Sequence, residues 1–172
     1  AQAPQRGKCS MSFASVSAFF SAQGLAGRIR TFDESTATVA LAAAALGCAP
    51  ERIAKTLSFS VQGGAVLIVA AGDTRIENPR YKAQFGTKAK MLTPEEAVAL
   101  VGHAVGGVCP FAVKPGTAVY LDESLRRFET VFPACGSANS AIELTIPELE
   151  KYAAPAGWVD VCKGWRAGEA QP

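Results

Sequence analysis

The sequence is poor in the residues that most metal and nucleophile chemistry requires. Among its 172 residues there is one histidine, His103, so the common two-histidine metal sites cannot be assembled. The five cysteines (Cys9, Cys48, Cys109, Cys135 and Cys162) are odd in number, widely separated and contain no Cys-x-x-Cys pair. That excludes a zinc ribbon and a thioredoxin-type couple, and it suits a reducing, cytoplasmic setting. No metal is expected. Long apolar runs are missing as well: the longest, Val39 to Leu46, is too short to cross a bilayer, and no membrane partner is expected. A formal net charge of +2 is slight for a protein that grips a long duplex, so DNA is not an expected partner. Residues Ala1 to Ser10 are polar and lack the apolar core of a signal peptide; residues 1–11 are read as a disordered or appended leader.

What remains is the composition of an ordinary folded domain, 49% hydrophobic and 19% charged, long enough to bury a core as one unit. Ser15 to Gln23 read as a helix stopped by Gly24, and Arg28 to Phe32 as a strand. Ser35 and Thr36 are N-cap candidates for an alanine-rich helix ending at Gly47. Pro50-Glu51-Arg52-Ile53 reads as one helical turn before a strand over Lys55 to Ser60. Gln62-Gly63-Gly64 then turns the chain into a second strand, Ala65 to Ala70. Asp73 can cap a segment that Asn78-Pro79 interrupts. Thr93-Pro94-Glu95-Glu96 is a helix start. Strands are expected at Ala118–Leu121, Glu129–Pro133 and Ala141–Thr145, a short helix from Ile146, and an edge strand over Trp158–Cys162. Without strict βαβ alternation the fold class is α+β, or mixed α/β. The cations Arg75, Arg80, Lys82, Lys88 and Lys90 fall in one stretch, which is either a local nucleic-acid contact or a solvated helix face.

Two segments carry the candidate chemistry. Lys55 sits inside the apolar run Ile53-Ala54-Lys55-Thr56-Leu57-Ser58-Phe59, where a buried amine is costly without a partner or a task. A strand-edge lysine whose stem covers apolar surface while its amine reaches water is the plainer alternative. About fifty residues on, Gly102 to Phe111 form a glycine-rich loop closed by Pro110, in which Gly106 and Gly107 let backbone N–H groups approach a ligand; a tight helix-to-strand connection would look the same. His103 and Cys109 lie six residues apart, close enough for a Cys–His nucleophile to be considered, although no third orienting residue is evident. Ser137, Asn139 and Ser140 form a polar loop that either contacts substrate or turns the chain.

Ile53-Ala54-Lys55-Thr56-Leu57, Gly72-Asp73, Gly106-x-x-x-Pro110 with Phe111, and Gly136-Ser137-Ala138-Asn139-Ser140-Ala141-Ile142-Glu143-Leu144 occur in order. In this they resemble the YbaK/ProX family, stand-alone relatives of the editing domain inserted in bacterial prolyl-tRNA synthetases. The resemblance covers Ser12 to Cys162. It implies one domain over residues 12–163 followed by a flexible tail over 164–172. Its fold would have a mixed, mostly antiparallel sheet or barrel-like core flanked by helices. The implied activity is trans-editing hydrolysis of a mischarged aminoacyl-tRNA ester, most plausibly a small non-cognate amino acid on tRNA(Pro), in the cytoplasm and without a cofactor. The aminoacylated tRNA 3′ end is the expected partner, with prolyl-tRNA synthetase as a candidate second one. A non-catalytic aminoacyl-tRNA or nucleotide-binding regulator is the alternative. The resemblance gives Lys55 the catalytic role, and assigns Thr56, His103, Gly106, Gly107, Val108, Cys109, Pro110, Ser137 and Asn139 to substrate binding. It departs from the YbaK-type cysteinyl-tRNA deacylases at Ser137-Ala138-Asn139, where they carry Lys-Arg-Gly, and at Ala141, where they carry Asp.

Overall fold

The hairpin at the centre of the sheet forms as the turn residues dictate. In the computed structural model, which describes residues 11–169, strands β2 (Ile53–Val61) and β3 (Gly64–Ala71) pair antiparallel from Ala54↔Ala71 to Val61↔Gly64. Gln62 and Gly63 close the turn with φ of 50° and 78°, the left-handed pair whose twist matches that of the strands. Residues 1–10 of the expected leader and the last three residues of the expected tail lie outside the described residues, while Met11, expected in the leader, opens the first helix.

The sheet grows outward from this hairpin in the order β8-β6-β2-β3-β5-β9, where β5 is Thr117–Asp122, β6 Thr130–Pro133, β8 Leu144–Thr145 and β9 Gly157–Val159. It is mixed: β2–β3 and β6–β8 are antiparallel, and β2–β6, β3–β5 and β5–β9 parallel. Two antiparallel ribbons flank it, β1 (Ile29–Thr31) with β7 (Ser140–Ile142) and β4 (Arg75–Ile76) with β10 (Cys162–Lys163). Residues Ala65 to Ala71 of β3 are all buried, because both faces of the central strand are covered.

On one face α1 (Met11–Ala22) and α5 (Ile146–Ala153) bring Val16, Phe20 and Leu149 onto Leu67, Val69, Leu121 and Phe111. Phe20 and Phe111 meet edge to face at 4.8 Å, and each such buried side chain contributes about 1.5–3 kcal/mol. On the other face α3 (Asn78–Phe85) sets Tyr81 against Phe59, 5.1 Å between ring centres, beside Ile68, Val159 and Cys162. A smaller cluster forms where α2 (Val39–Leu46) lays Ala42 and Ala43 over Ile53 and Phe132.

Several local expectations are corrected by tertiary partners. The N-cap of α2 is Thr38, whose hydroxyl accepts from Leu41 N–H at 3.2 Å. Neither Ser35 nor Thr36 caps it: Ser35 accepts from Ala37 N–H at 3.1 Å, and Thr36 N–H donates to the Ala138 carbonyl at 2.6 Å. Asn78-Pro79 opens α3 rather than interrupting a segment, since proline is tolerated in a first helical turn. Asp73 caps nothing; it is held bidentately by Arg127 at 2.9 and 2.6 Å. Thr93 makes the full capping box with Glu96, and α4 (Pro94–Glu96) then widens into a π-helical turn, Ala97–Val101, ended by Gly102. The strand expected over Ala141–Thr145 splits at Glu143, which leaves the ladder to bind Arg52 at 3.0 Å and Thr130 at 2.7 Å. The edge strand expected over Trp158–Cys162 splits into β9 and β10, because Val161 N–H turns in to the buried Asp122 carboxylate at 3.0 Å.

Candidate active site

β2 has a gap along its outer edge. Its pairing with β6 stops at Ala54↔Pro133, and the edge is closed again only at the Phe59↔Met91 bridge. There Leu92 N–H donates to the Ser58 carbonyl at 3.0 Å and Ser60 N–H to the Lys90 carbonyl at 2.8 Å. In an antiparallel ladder each residue's N–H and C=O point together to one side, alternating along the strand. Even-numbered residues of β2 therefore face outward, and the N–H and C=O of Thr56 and the N–H of Ser58 meet no strand there among the described residues. The Thr56 Oγ1 is also buried without a partner among the described residues. Buried polar groups left in this state are costly, about 1–3 kcal/mol each, which makes the gap a place prepared for a ligand or for water.

A cavity of about 370 Å³ opens on this gap. Its floor is β2 from Ile53 to Ser58; its walls are Thr36 to Val39 with Ala42 on one side, Val105, Gly106 and Val108 on another, and Phe132, Ala134, Ser140 and Ala141 beyond. Met91, 58% exposed, and Val105, 63% exposed, stand at the rim. The lining is mostly apolar with a few convergent polar groups, which is the usual make-up of a small-molecule site.

Lys55 is one of the residues that line this cavity, and its ammonium donates to the carbonyl of Thr74. Burial pushes its pKa down; Cys162, Asp73 and Asp122 oppose that, and Arg75 adds to it. The Gly72-Asp73 segment, separate in sequence, thus serves Lys55. A Cβ on Gly72 would lie 2.1 Å from the Pro50 carbonyl oxygen, so only glycine lets the turn after β3 pack on the turn that launches β2. Asp73, pinned by Arg127, fixes the Thr74 carbonyl next to it.

Of the residues expected at the substrate, Thr56, Gly106 and Val108 line the cavity together with Lys55. His103, Gly107, Cys109, Pro110, Ser137 and Asn139 are not among its lining residues. Gly107 packs so tightly on the late loop that a Cβ would sit 2.7 Å from Gly136 and Ser137 backbone atoms. Asn139 Nδ2 donates to the Phe32 carbonyl at 3.0 Å and Ser137 Oγ shares a 2.5 Å hydrogen bond with Ser140. These contacts, with Thr36 N–H on Ala138, hold the segment from Phe32 to Thr38 against the cavity.

His103 is buried. Its Nε2 lies 2.7 Å from the Phe111 carbonyl, which can only accept, so Nε2 carries the proton and Nδ1 accepts from the Ser12 hydroxyl. Burial holds its pKa down. Cys109 Sγ is 3.6 Å from Nε2, yet that nitrogen is already a donor to Phe111 and cannot take the thiol proton. Burial pushes the Cys109 thiol up to about 12. It is an inert thiol at neutral pH. No group of histidine, cysteine or acidic side chains arranged to hold a metal occurs among the described residues.

The cavity residues that sequence reasoning missed are chiefly Thr36 to Val39, Ser58 and Met91, while Ser140 of the polar loop does line it. Ser58, a hydroxyl in an apolar strand two residues after Thr56, was the available signal. The others come from segments that only the fold brings together.

Comparison with known proteins identifies the family. Residues 33–152 match the family model of the aminoacyl-tRNA editing domain, and the chain belongs to that family. It is 50% identical over 156 residues to the uncharacterized protein YwhH of Bacillus subtilis strain 168, covering 90% of this chain and 99% of YwhH. A 109-residue stretch, 63% of this chain, is 29% identical to the proline–tRNA ligase of Geobacillus thermodenitrificans strain NG80-2, of which it covers 19%. The crystal structure of a candidate trans-editing enzyme for prolyl tRNA synthetase superimposes with a TM-score of 0.79 at 27% identity, covering 95% of this chain and all of that one.

Proposed function

We propose that this protein is a trans-editing aminoacyl-tRNA deacylase that hydrolyses the ester between a small non-cognate amino acid and the terminal adenosine of tRNA(Pro). The observation that carries the reading is the convergence, on one cavity of an editing-domain fold, of Lys55, the glycine loop and an unpaired stretch of strand edge. A water attacks the ester carbonyl, the carbonyl oxygen becomes an oxyanion, and the ribose oxygen leaves with a proton that ultimately comes from that water. Backbone N–H groups of the β2 gap and the glycine loop are the donors available to the oxyanion. The Lys55 ammonium exchanges its Thr74 carbonyl for a substrate oxygen, anchoring the nucleotide or ester and offsetting the developing charge. An activated ester held in register needs little more than orientation and charge stabilisation.

The apolar wall supports the choice of substrate. A synthetase pocket that accepts proline rejects smaller side chains by only about 1–3 kcal/mol per methylene, and a second, smaller cavity removes the errors. Ala42, Ile53, Val108 and Phe132 bound such a cavity here. Incubation with a panel of tRNAs mischarged with small amino acids, beside cognate Pro-tRNA(Pro), tests the reading. Release of a small amino acid from tRNA(Pro) with Pro-tRNA(Pro) spared is the expected result. Binding without release from any of them would instead make the protein a non-catalytic aminoacyl-tRNA or nucleotide-binding module.

A further inference from the structure

Between Glu77 and Glu95 the chain carries Arg80, Lys82, Lys88 and Lys90 and no acidic residue. The fold sorts these cations. Arg80 is committed to Glu77 and to Asp160, the latter at 2.9 Å. Lys82, Lys88 and Lys90 are exposed and enter no ion pair among the described residues, Lys90 having only the longer-range attraction of Glu96. Most arginines elsewhere (Arg28, Arg52, Arg126, Arg127 and Arg166) face a carboxylate. Lys82 and Lys88 line a surface groove of about 520 Å³ with Asn78, Pro79 and Ala89. From that groove the chain runs through Lys90 to Met91, which forms the rim of the active-site cavity. The hydrogen bonds Ser60 N–H to Lys90 C=O and Leu92 N–H to Ser58 C=O lock this run onto β2. Lys88 and Met91 are three residues apart, a span of at most about 10 Å. The free lysines thus form a ridge that ends at the cavity mouth.

We infer that Lys82, Lys88 and Lys90 are the docking ridge for the phosphodiester backbone of the RNA whose aminoacylated 3′ end enters the cavity. The inference rests on the deacylase reading for the direction of the strand, not for the ridge itself. A row of exposed ammonium groups outside any ion pair attracts phosphate, and each phosphate neutralised steepens the salt dependence of binding by about 0.7–0.9 in log–log slope. Three lysines suffice to orient an RNA end, which agrees with a chain whose net charge is only +2.

The test compares the full chain with a Lys82→Ala/Lys88→Ala/Lys90→Ala variant, and with the same three positions changed to Arg. Binding of uncharged tRNA is followed by fluorescence anisotropy across salt; KM and kcat are measured on mischarged tRNA, and turnover on a 3′-O-aminoacyl adenosine without phosphates. The alanine variant should lose about 2–3 from the salt slope, so that a fourfold rise in salt weakens the wild type about twenty- to fortyfold more than the variant. Its KM on tRNA should rise with kcat unchanged, its turnover of the nucleoside ester should equal the wild type's, and the arginine variant should restore binding. An unchanged slope and KM would overturn the ridge and leave those lysines to another partner, such as an acidic protein surface. Loss of nucleoside-ester turnover would overturn it too, by placing the lysines at the reaction centre. A wild type that binds tRNA with the ridge-dependent slope yet hydrolyses no ester would refute the deacylase reading while upholding the ridge.

Discussion

At the scale of single residues, Lys55 and Cys109 make opposite predictions from the same physical cause. Lys55 is half-buried and Cys109 fully buried, but Lys55 is a cation given a carbonyl partner at a cavity, whereas Cys109 is a thiol given no base that can take its proton. Replacing Lys55 by Met keeps the stem's packing and removes the ammonium. Single-turnover deacylation should fall by about a hundredfold or more, the usual loss for one charge-stabilising donor, with an unchanged circular dichroism spectrum; near-normal turnover in the folded variant would refute the role. Cys109→Ser should stay within about tenfold of wild type, since losing a true nucleophile costs several powers of ten more. An aminoacyl adduct trapped on Cys109 would overturn the water-attack mechanism.

At the scale of elements, the glycine loop and the late loop act as one piece. Gly106 has φ +94°, and a Cβ there would approach the Ala37 Cβ to 3.3 Å. Left-handed backbone costs a residue with a side chain about 1–2 kcal/mol, and the added methyl group would narrow the cavity. Gly106→Ala is therefore expected to lower turnover beyond what its modest loss of stability explains. Gly107→Ala is different in kind: its Cβ would strike backbone rather than a movable side chain, so the late loop must shift. Stability should fall by about 1–3 kcal/mol, with turnover lost alongside. Urea unfolding and single-turnover assays on the two variants separate the cases, and wild-type stability in Gly107→Ala would show that the loops are not wedged together.

At the scale of the whole molecule, His103 ties α1 to the loop that carries Phe111, and its burial favours the neutral ring. Its folded pKa lies below the unfolded value of about 6.5. The unfolded chain thus binds more protons in the interval between them, and stability rises with pH through that interval. Acidification from pH 7 should accordingly erode stability as it passes below about 6.5. In thermal melts the gap between wild type and His103→Gln should narrow as pH falls. A gap independent of pH would mean that His103 is not held neutral.

The sequence by itself determined what short-range chemistry fixes. Gln62-Gly63 set the hairpin, Thr93 with Glu96 set a capping box, Gly47 stopped α2, and the apolar run Ala65 to Ala70 marked the hairpin's second strand. The spacing of Lys55, Gly72-Asp73 and Gly106-x-x-x-Pro110 also made the editing-domain family legible. Only the tertiary structure decided which of those residues line the cavity and which do not. Ser137 and Asn139 look like ligands in a polar loop, but backbone partners at Phe32 and the Ser140 hydroxyl engage them. His103 looks like a base, yet it is spent between Ser12 and Phe111. The gap in the edge of β2 has no sequence signal at all, because it exists where β6 ends and Met91 has not yet begun. An unpaired strand edge is a property of neighbours distant in the chain, and no local pattern of side chains encodes it.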